Sequence, residues 1–275
     1  MSSSTAGVAL VATVHDPDNR LLALTEAMLP RLQAEYRSIN VLCSAATHFA
    51  TVNFLERSGA IVRKEARRPG GHKGLGRVRR EALQVGLASG AEHLHLCDFD
   101  RALHWMAHFP DELRSMLADL SQFDFLIMGR STRAWDTHPP VQKVTEELTN
   151  LVFAKIYGQE VDIAGGSRGL SRPAARLLSI HSREETVGVD GEWPVILTRF
   201  PELKLGYRAY DGLEFESADE RQEEIAAAGG QFAWEAKVLD SLDAWLLRIE
   251  VTHDTIAAAI RAGQAGLTRP GGRPA

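Results

Sequence analysis

The sequence predicts an α/β fold built on a mostly parallel sheet, and two features support this prediction. Apolar runs rich in β-branched residues recur along the chain, at 7–14, 38–44 and 93–97, and such continuous runs are typical of strands buried on both faces. Segments with apolar residues at helical spacing, including 21–36 and 47–58, lie between them. This alternation of strand and helix is expected to give the βαβ units of a parallel sheet.

Further elements follow the same patterns. We expect strands at 59–62, 123–128 and 205–210, helices at 81–89, 110–120, 141–157 and 193–200, and a glycine-rich loop at 165–169. Two helices are predicted over 218–262, and the tail 263–275, rich in glycine and proline, is predicted to be disordered.

Composition narrows the class of protein. With 275 residues, 44% of them hydrophobic and a formal charge of -5, the chain can bury a large core and is not expected to bind nucleic acid. It has no apolar stretch of the roughly 18 residues that span a bilayer and no leader pattern at its start, so we expect a cytoplasmic protein without a transmembrane segment. Cys43 and Cys97 both lie in strand-like segments without a CxxC pair, which argues against a disulfide framework or a cysteine-based zinc site.

Two carboxylates stand at the end of the third long apolar run, in Asp98-Phe99-Asp100. In an extended strand, residues i and i+2 point the same way, so both carboxylates would face one point at the sheet edge. Such hard oxygen ligands suit Mg²⁺ or Mn²⁺ carrying a diphosphate. The alternative interpretation is a solvated strand end, which is common for this triplet.

A basic, glycine-rich segment at 67–80 precedes this strand. Guanidinium groups can clamp diphosphate oxygens, and glycines let backbone amides approach them. The expected nucleotide-binding residues are therefore Lys73, Gly76, Arg77 and Arg79. A solvated basic loop is the alternative for Lys73 and Arg77.

Several motifs in order, over roughly 8–215, resemble family-2-type glycosyltransferases of the GT-A fold, in particular the polyprenyl-phosphate sugar synthases. They are Gly74-Leu75-Gly76-Arg77-Val78-Arg79, Asp98-Phe99-Asp100, His108-Phe109-Pro110-Asp111-Glu112-Leu113, 123–131 ending in Gly129-Arg130-Ser131, the helix ending Ile156-Tyr157-Gly158, and 161–172.

The resemblance implies a metal-dependent transfer of a sugar from a UDP- or GDP-linked donor. It places Asp98 and Asp100 on the metal, with Asp98 also at the nucleotide, and Arg79 beside the diphosphate. It places Arg130 at the acceptor side of the active site. Asp162, Gly166 and Arg168 match an element that shapes the acceptor and sugar pocket. The alternative role of Asp162 is that of a loop anchor that accepts hydrogen bonds from backbone amides.

An inverting transfer to a hydroxyl group needs a carboxylate base. Asp190 and Glu192 fall where relatives carry acidic residues before a helix, and they are the candidates for this role. The alternative role of Asp190 is that of a helix N-cap. His181, Asp211 and His253 are available as a third metal ligand, and the sequence selects none of them.

Two departures from the family pattern bear on the ligands. The first two strands end in His15-Asp16-Pro17 and Cys43-Ser44-Ala45 instead of the usual nucleoside-binding acids, so Asp16 and Ser44 are the candidates for ribose or base contacts. The chain also lacks the transmembrane tail of some lipid-phosphate synthases, so a small-molecule acceptor is as plausible as a lipid phosphate.

These observations divide the chain into a nucleotide-sugar-binding domain at 1–216, a helical extension at 217–262 and the tail. The extension is expected either to pack on the sheet or to pair two subunits in a homodimer. A non-catalytic GT-A protein that binds a nucleotide or partner is the second hypothesis. A sugar-phosphate nucleotidyltransferase is the third, because the glycine-rich loop that such enzymes carry after the first strand is missing.

Overall fold

The computed structural model describes residues 7–65 and 72–267, which form a seven-stranded mixed sheet flanked by helices. The strands are β1 (Val8–Val14), β2 (Ser38–Cys43), β3 (Ile61–Lys64), β4 (His93–Asp98), β5 (Phe125–Arg130), β6 (Ser167–Ser171) and β7 (Leu205–Tyr210). Their order is β3-β2-β1-β4-β6-β5-β7. Only β6 is antiparallel to its neighbours in this sheet, so the predicted α/β fold with a mostly parallel sheet is confirmed.

Twelve α-helices lie within the described residues. They are α1 (Leu22–Glu35), α2 (Phe49–Arg57), α3 (Leu75–Ala88), α4 (Phe99–His108), α5 (Pro110–Leu120), α6 (Thr132–Asp136), α7 (Pro140–Tyr157), α8 (Arg172–His181), α9 (Val189–Leu197), α10 (Gln222–Ala228), α11 (Gln231–Val238) and α12 (Leu242–Leu267).

The sheet divides the core into two layers. Alternate residues of β1 point to opposite faces, so that Leu10 packs with α1, α4 and α5 while Val11 packs with α3, α8 and α9. Burial on both faces explains why β1 is apolar throughout. Its parallel neighbours β2 and β4 end at the same edge, where open α/β sheets place their ligands.

The structure corrects four of the predicted elements. The expected glycine-rich loop at 165–169 contains the start of β6, and α8 follows it without having been predicted. Helix α3 begins at Leu75 instead of 81. Three helices instead of two follow residue 218, and α12 continues to Leu267, into the segment expected to be disordered. The remainder of that tail, and residues 66–71 of the basic segment, lie outside the described residues.

The C-terminal helix α12 packs against α7 and α9. Ala258 and Ala259 are buried at this contact because their small side chains let the helices approach closely. Apolar side chains on the outer faces of α7 and α12 remain exposed, among them Leu148, Leu151 and Leu246. Packing on the core is therefore observed, while pairing of two subunits stays a prediction. Across the described ranges, no helix is both long and apolar enough to traverse a bilayer.

Candidate active site

Asp98 and Asp100 lie at the ligand-binding edge of the sheet, but not on one extended strand as predicted. Asp98 ends β4 with extended dihedral angles, and α4 begins at Phe99. The helix forms because Phe99 is fully buried in the core beneath it, together with Leu103 and Trp105. Thr13, the neighbour of Asp98 in the sheet, donates a hydrogen bond of 2.6 Å to Asp98 Oδ1. The two carboxylates nevertheless line one cavity.

Two cavities open at this edge, and Asp98 lines both. The first, of about 180 Å³, lies at the ends of β1 and β2 and is lined by apolar side chains together with Thr13, His15, Glu65, Asp100 and Glu220. We call it the β1 cavity. The second, of about 230 Å³, is lined by residues of α3, α7, α9 and α12 and of the loop after β7. We call it the α12 cavity.

Acidic residues from distant parts of the chain meet beside Asp98. Glu220 lines the β1 cavity together with Asp100. Glu216 pairs with Arg101 at 2.7 Å, while its second oxygen, Oε2, is buried without a hydrogen-bond partner in the described structure. Desolvation, followed by the charges of Glu216 and Asp98, raises the pKa of Asp100 well above its ordinary value. Desolvation also raises the pKa of Glu220. Glu216 and Glu220 were not predicted as site residues, and the three candidates for a third metal ligand line neither cavity.

Arg79 and Asp190 face each other in the α12 cavity. Arg79 Nη1 lies 2.6 Å from Asp190 Oδ1, and Arg168 Nη2 approaches the same oxygen at 3.3 Å. Asp190 lies inside the first turn of α9, whose N-cap is Gly188, so the N-cap interpretation is wrong. Arg168 is 2% exposed, and backbone carbonyls of Ser167 and Ile163 accept its other hydrogen bonds. It supports Asp190 from behind without lining either cavity.

Gly76 does not lie in a phosphate-binding loop, contrary to prediction. It is in the first turn of α3, and its N–H donates to the carbonyl of Glu185 at 2.9 Å. A Cβ atom here would lie 2.4 Å from the Glu184 oxygen and 2.6 Å from the Thr186 oxygen. The glycine therefore allows α3 to pack against 184–186, which brings Arg79 to Asp190.

Two predicted basic contacts lie away from the cavities. Lys73 forms ion pairs with Asp254 and Glu250 of α12, at 3.3 and 3.5 Å. It thus joins the start of α3 to the C-terminal helix. Arg77 is partly exposed and lines neither cavity.

Arg130 is buried and engaged on several sides. Its Nε and Nη2 donate to the two oxygens of Asp162 at 2.7 and 2.8 Å, and its Nη1 lies 2.6 Å from Glu146. Its guanidinium also lies 4.4 Å from the centre of the Trp135 ring. Arg130 lines neither cavity. Glu146 does line the α12 cavity, so Arg130 fixes the position of a cavity residue.

Glu192 lies on the other side of α9 from Asp190. Its carboxylate accepts hydrogen bonds from Ser182 Oγ at 2.5 Å and from the backbone N–H groups of Arg183 and Glu184. It lines a separate surface cavity beside α12. Residues i and i+2 diverge on a helix, which explains why one of the two predicted bases reaches the α12 cavity and the other does not.

Asp16 and Ser44 hold the loops that follow β1 and β2. The Asp16 carboxylate is buried and accepts from Arg20 N, Leu21 N and Thr51 Oγ1. Ser44 Oγ lies 2.8 Å from His15 Nδ1, and His15 lines the β1 cavity. The sequence analysis selected Asp16 and Ser44, which hold the loops, and did not select His15, whose imidazole lines the cavity.

The α12 cavity contains two further groups that were not predicted. His138 is buried, and burial followed by the charge of Arg130 lowers its pKa to about 3. Its Nδ1 lies 2.9 Å from the carbonyl of Ala134, so the neutral ring donates there and keeps Nε2 as an acceptor. Arg248 of α12 reaches Glu146 and Gln142 at 3.3 and 3.2 Å, with about a third of its side chain exposed (34%). The sequence motifs include neither residue.

Comparisons with known proteins identify the fold. The sequence matches no protein-family model and no curated protein. The structure is similar to that of Mycobacterium tuberculosis glucosyl-3-phosphoglycerate synthase, with a TM-score of 0.50 and 16% sequence identity over 82% of each chain. A structure of that synthase with Mn²⁺, UDP-glucose and phosphoglyceric acid matches with a TM-score of 0.51 and 14% identity, covering 95% of this chain and 82% of the synthase. The chain therefore has the GT-A glycosyltransferase fold.

Proposed function

We propose that this protein is a metal-dependent glycosyltransferase that moves a sugar from a nucleotide-diphosphate donor to a small anionic acceptor. The observation that carries the proposal is the position of Asp98 in the wall of both cavities. A donor diphosphate beside Asp98 would place its nucleoside in the β1 cavity and its sugar in the α12 cavity. The neighbouring synthase, whose complex contains Mn²⁺, UDP-glucose and phosphoglyceric acid, supports the proposed classes of donor and acceptor.

The β1 cavity suits a nucleoside. Its walls include Leu21, Leu42 and Val78, which offer apolar surface to a base, and His15, whose Nδ1 is held by Ser44. A flat imidazole can stack on a base and donate or accept one hydrogen bond. We propose that His15 takes the place of the acidic residues that contact the nucleoside in the polyprenyl-phosphate sugar synthases.

The residues beside Asp98 fit a divalent cation. The donor set consists of carboxylate oxygens, which Mg²⁺ and Mn²⁺ prefer, and the unpartnered Oε2 of Glu216 is a buried acceptor that a cation would satisfy. Asp98 and Asp100 are the proposed ligands, with Glu216 or Glu220 completing the set. When bound, the cation would supply positive charge that neutralises the leaving diphosphate.

Arg79 and Asp190 are the side chains that we propose to act directly in the sugar transfer. Burial opposes the charge of Arg79, but the carboxylates of Asp190 and Asp98 outweigh it and raise the pKa of Arg79. The guanidinium can therefore hold a donor oxygen beside the bond that breaks. Asp190, fixed by Arg79 and Arg168, can accept the proton of an acceptor hydroxyl group as the new bond forms. The proposal assigns Glu192 no part in the transfer.

Arg248 is the proposed binding residue for the acceptor. It reaches into the α12 cavity from the C-terminal helix, and its present hydrogen bonds are long, at 3.2 and 3.3 Å. A phosphate or carboxylate group would form shorter bonds to the same guanidinium. The C-terminal helices thus contribute to the site, and we propose that they belong to the catalytic unit.

A turnover assay tests this function. Purified protein is incubated with UDP- or GDP-linked sugars, Mn²⁺ or Mg²⁺, and phosphoglyceric acid as the first acceptor, and release of the nucleoside diphosphate and formation of the glycoside are followed. We expect transfer that requires metal and is lost in Asp98→Asn but kept in Glu160→Gln, an exposed acid that lines neither cavity. Nucleotide binding without turnover for any donor and acceptor would instead favour the non-catalytic hypothesis.

A further inference from the structure

A cluster of two histidines and a carboxylate lies beside the proposed catalytic site but outside both cavities. His104 and His108 are one turn apart on α4, with ring centres 4.5 Å apart. Asp219, from the loop between β7 and α10, lies against both. Its Oδ2 is 2.6 Å from His104 Nδ1 and 3.7 Å from His108 Nε2.

We propose that His104, His108 and Asp219 form a second metal site, for a transition-metal ion of the zinc class. One donor atom from each residue lies within 4.8 Å of the other two. With Zn–N and Zn–O bonds of about 2.0 Å, the ligands of a tetrahedral zinc ion lie roughly 3.3 Å apart. The two observed separations from Asp219 fall on either side of this value, and the two imidazole donor atoms lie within 4.8 Å of each other, so rotation of the side chains is needed to bring the three ligands to these distances.

The second ring nitrogen of His104 supports the assignment. His104 Nε2 lies 3.1 Å from Glu214 Oε1, and Arg133 holds the other oxygen of Glu214 at 2.6 Å. A histidine that binds a metal through one nitrogen commonly donates its other N–H to a carboxylate, which fixes the ring and its tautomer. Here Nδ1 would bind the ion, replacing the proton between His104 and Asp219, while Nε2–H donates to Glu214.

The site differs in chemistry from the one at Asp98. Two imidazole nitrogens and one carboxylate favour zinc-class ions, whereas a set of carboxylates favours Mg²⁺ or Mn²⁺. His104 is buried, but His108 is half exposed, which leaves a path for the ion and a fourth position for water.

Occupation of the site would fix the loop that completes both cavities. Between Glu214 and Asp219, three residues line the α12 cavity: Phe215, Glu216 and Ser217. The residue after Asp219, Glu220, lines the β1 cavity. An ion bound between α4 and Asp219 therefore holds this loop against the helix that begins beside Asp98.

Zinc binding to the metal-stripped protein tests the proposal. Zn²⁺ is titrated calorimetrically, without nucleotide and with excess Mg²⁺ to occupy the carboxylate site. The variants are His108→Ala, whose side chain is half exposed, and His104→Gln. The controls are His253→Ala, an exposed histidine outside the cluster, and Asp98→Asn.

We expect one tight zinc ion per chain, with the affinity reduced at least about tenfold in each cluster variant and unchanged in both controls. Replacement by Co²⁺ should give visible absorption that disappears in His108→Ala. Absence of tight zinc binding, equal affinity in His108→Ala, or loss of affinity in Asp98→Asn would overturn the proposal. Because no nucleotide or turnover is involved, its failure would leave the proposed transferase activity standing.

Discussion

The Arg79 guanidinium lies 2.6 Å from the Asp190 carboxylate, although the two residues are 111 positions apart in the chain. Arg79 is held by α3 and Asp190 by α9, and the contact between 76 and 184–186 sets the spacing of the two helices. Both residues line the α12 cavity, where the proposed transfer takes place.

Replacement of Asp190 tests its proposed role as the base. Asp190→Asn is expected to lower kcat by roughly 10²- to 10⁴-fold with little change in the KM of the donor, because proton acceptance matters only as the reaction proceeds. Steady-state kinetics measure both quantities. Glu192→Gln is the matched control, since this carboxylate is on the same helix but lines another cavity. If His138→Gln removed activity and Asp190→Asn did not, the neutral imidazole would be the base.

Replacement of Gly76 tests the helix packing that positions Arg79 and Asp190. Gly76→Ala places a Cβ atom 2.4 Å and 2.6 Å from two backbone oxygens, so we expect it to lower the free energy of unfolding by about 1–3 kcal/mol and to reduce kcat. Urea unfolding and turnover measure the two effects. Gly7→Ala, which meets no atom within 4 Å, should stay within about 0.5 kcal/mol of the parent. Equal stability of the two variants would show that the contact at 76 is not tight.

The buried pair of Arg130 and Asp162 predicts a pH-dependent stability. Burial opposes the charge of Asp162, but the hydrogen bonds and charge of Arg130 outweigh it and lower the pKa of Asp162 from 3.8 to about 2. Because the pKa of Asp162 is lower in the folded protein than in the unfolded chain, this stabilisation is fully present at pH values above the unfolded pKa of 3.8. It is lost as the pH falls from 3.8 towards 2. Asp162→Asn should cost about 3 kcal/mol at neutral pH.

Urea unfolding of both proteins over a pH series checks this expectation. The difference in unfolding free energy between parent and variant should be constant above about pH 5 and should shrink on acidification. A difference that persists unchanged at low pH would show that Asp162 does not stabilise the fold through its charge.

Arg248 tests the contribution of the C-terminal helix to acceptor binding. Arg248→Ala should raise the KM for phosphoglyceric acid by roughly 10- to 100-fold, because a charge-assisted hydrogen bond is lost, and should leave the KM of the donor unchanged. Arg261→Ala on the same helix is the control, since Arg261 pairs with Glu184 and does not line the α12 cavity. Equal effects of the two variants would remove Arg248 from the acceptor site.

The sequence predicted six of the seven strands and failed at β6, which has no run of apolar or β-branched residues. β1, β2 and β4 are buried on both faces by covering helices, so their composition alone identifies them. β6 reads Ser167-Arg168-Gly169-Leu170-Ser171, and its glycine and polar residues indicate a loop. It is a strand because β4 and β5 pair with it on both sides, which is a long-range effect.

The candidate site was predicted only where its residues lie in recognisable local sequence patterns, and not where long-range contacts bring residues together. Asp98 and Asp100 stand at the end of an apolar run that marks a strand, and Arg79 stands in a basic, glycine-rich segment. Glu216 and Glu220 reach the same cavities only because the chain comes back to this edge of the sheet after β7. The local sequence around these two residues looks like that of a solvent-exposed acidic loop, so it does not indicate a site. Arg130 was expected at the acceptor, but the sequence could not show that Asp162 and Glu146 engage its guanidinium.

The central claim is that Asp98 and a divalent cation together bind a nucleoside diphosphate, and thermal unfolding tests it most directly. The melting temperature is measured with UDP or GDP, with and without Mn²⁺, for the parent protein and Asp98→Asn. A ligand at about one hundred times its Kd adds about 2.7 kcal/mol of stability, which corresponds to several degrees. We predict an increase that requires both Mn²⁺ and one nucleotide and is absent in Asp98→Asn. No increase with either nucleotide, or the same increase in the variant, would contradict the account.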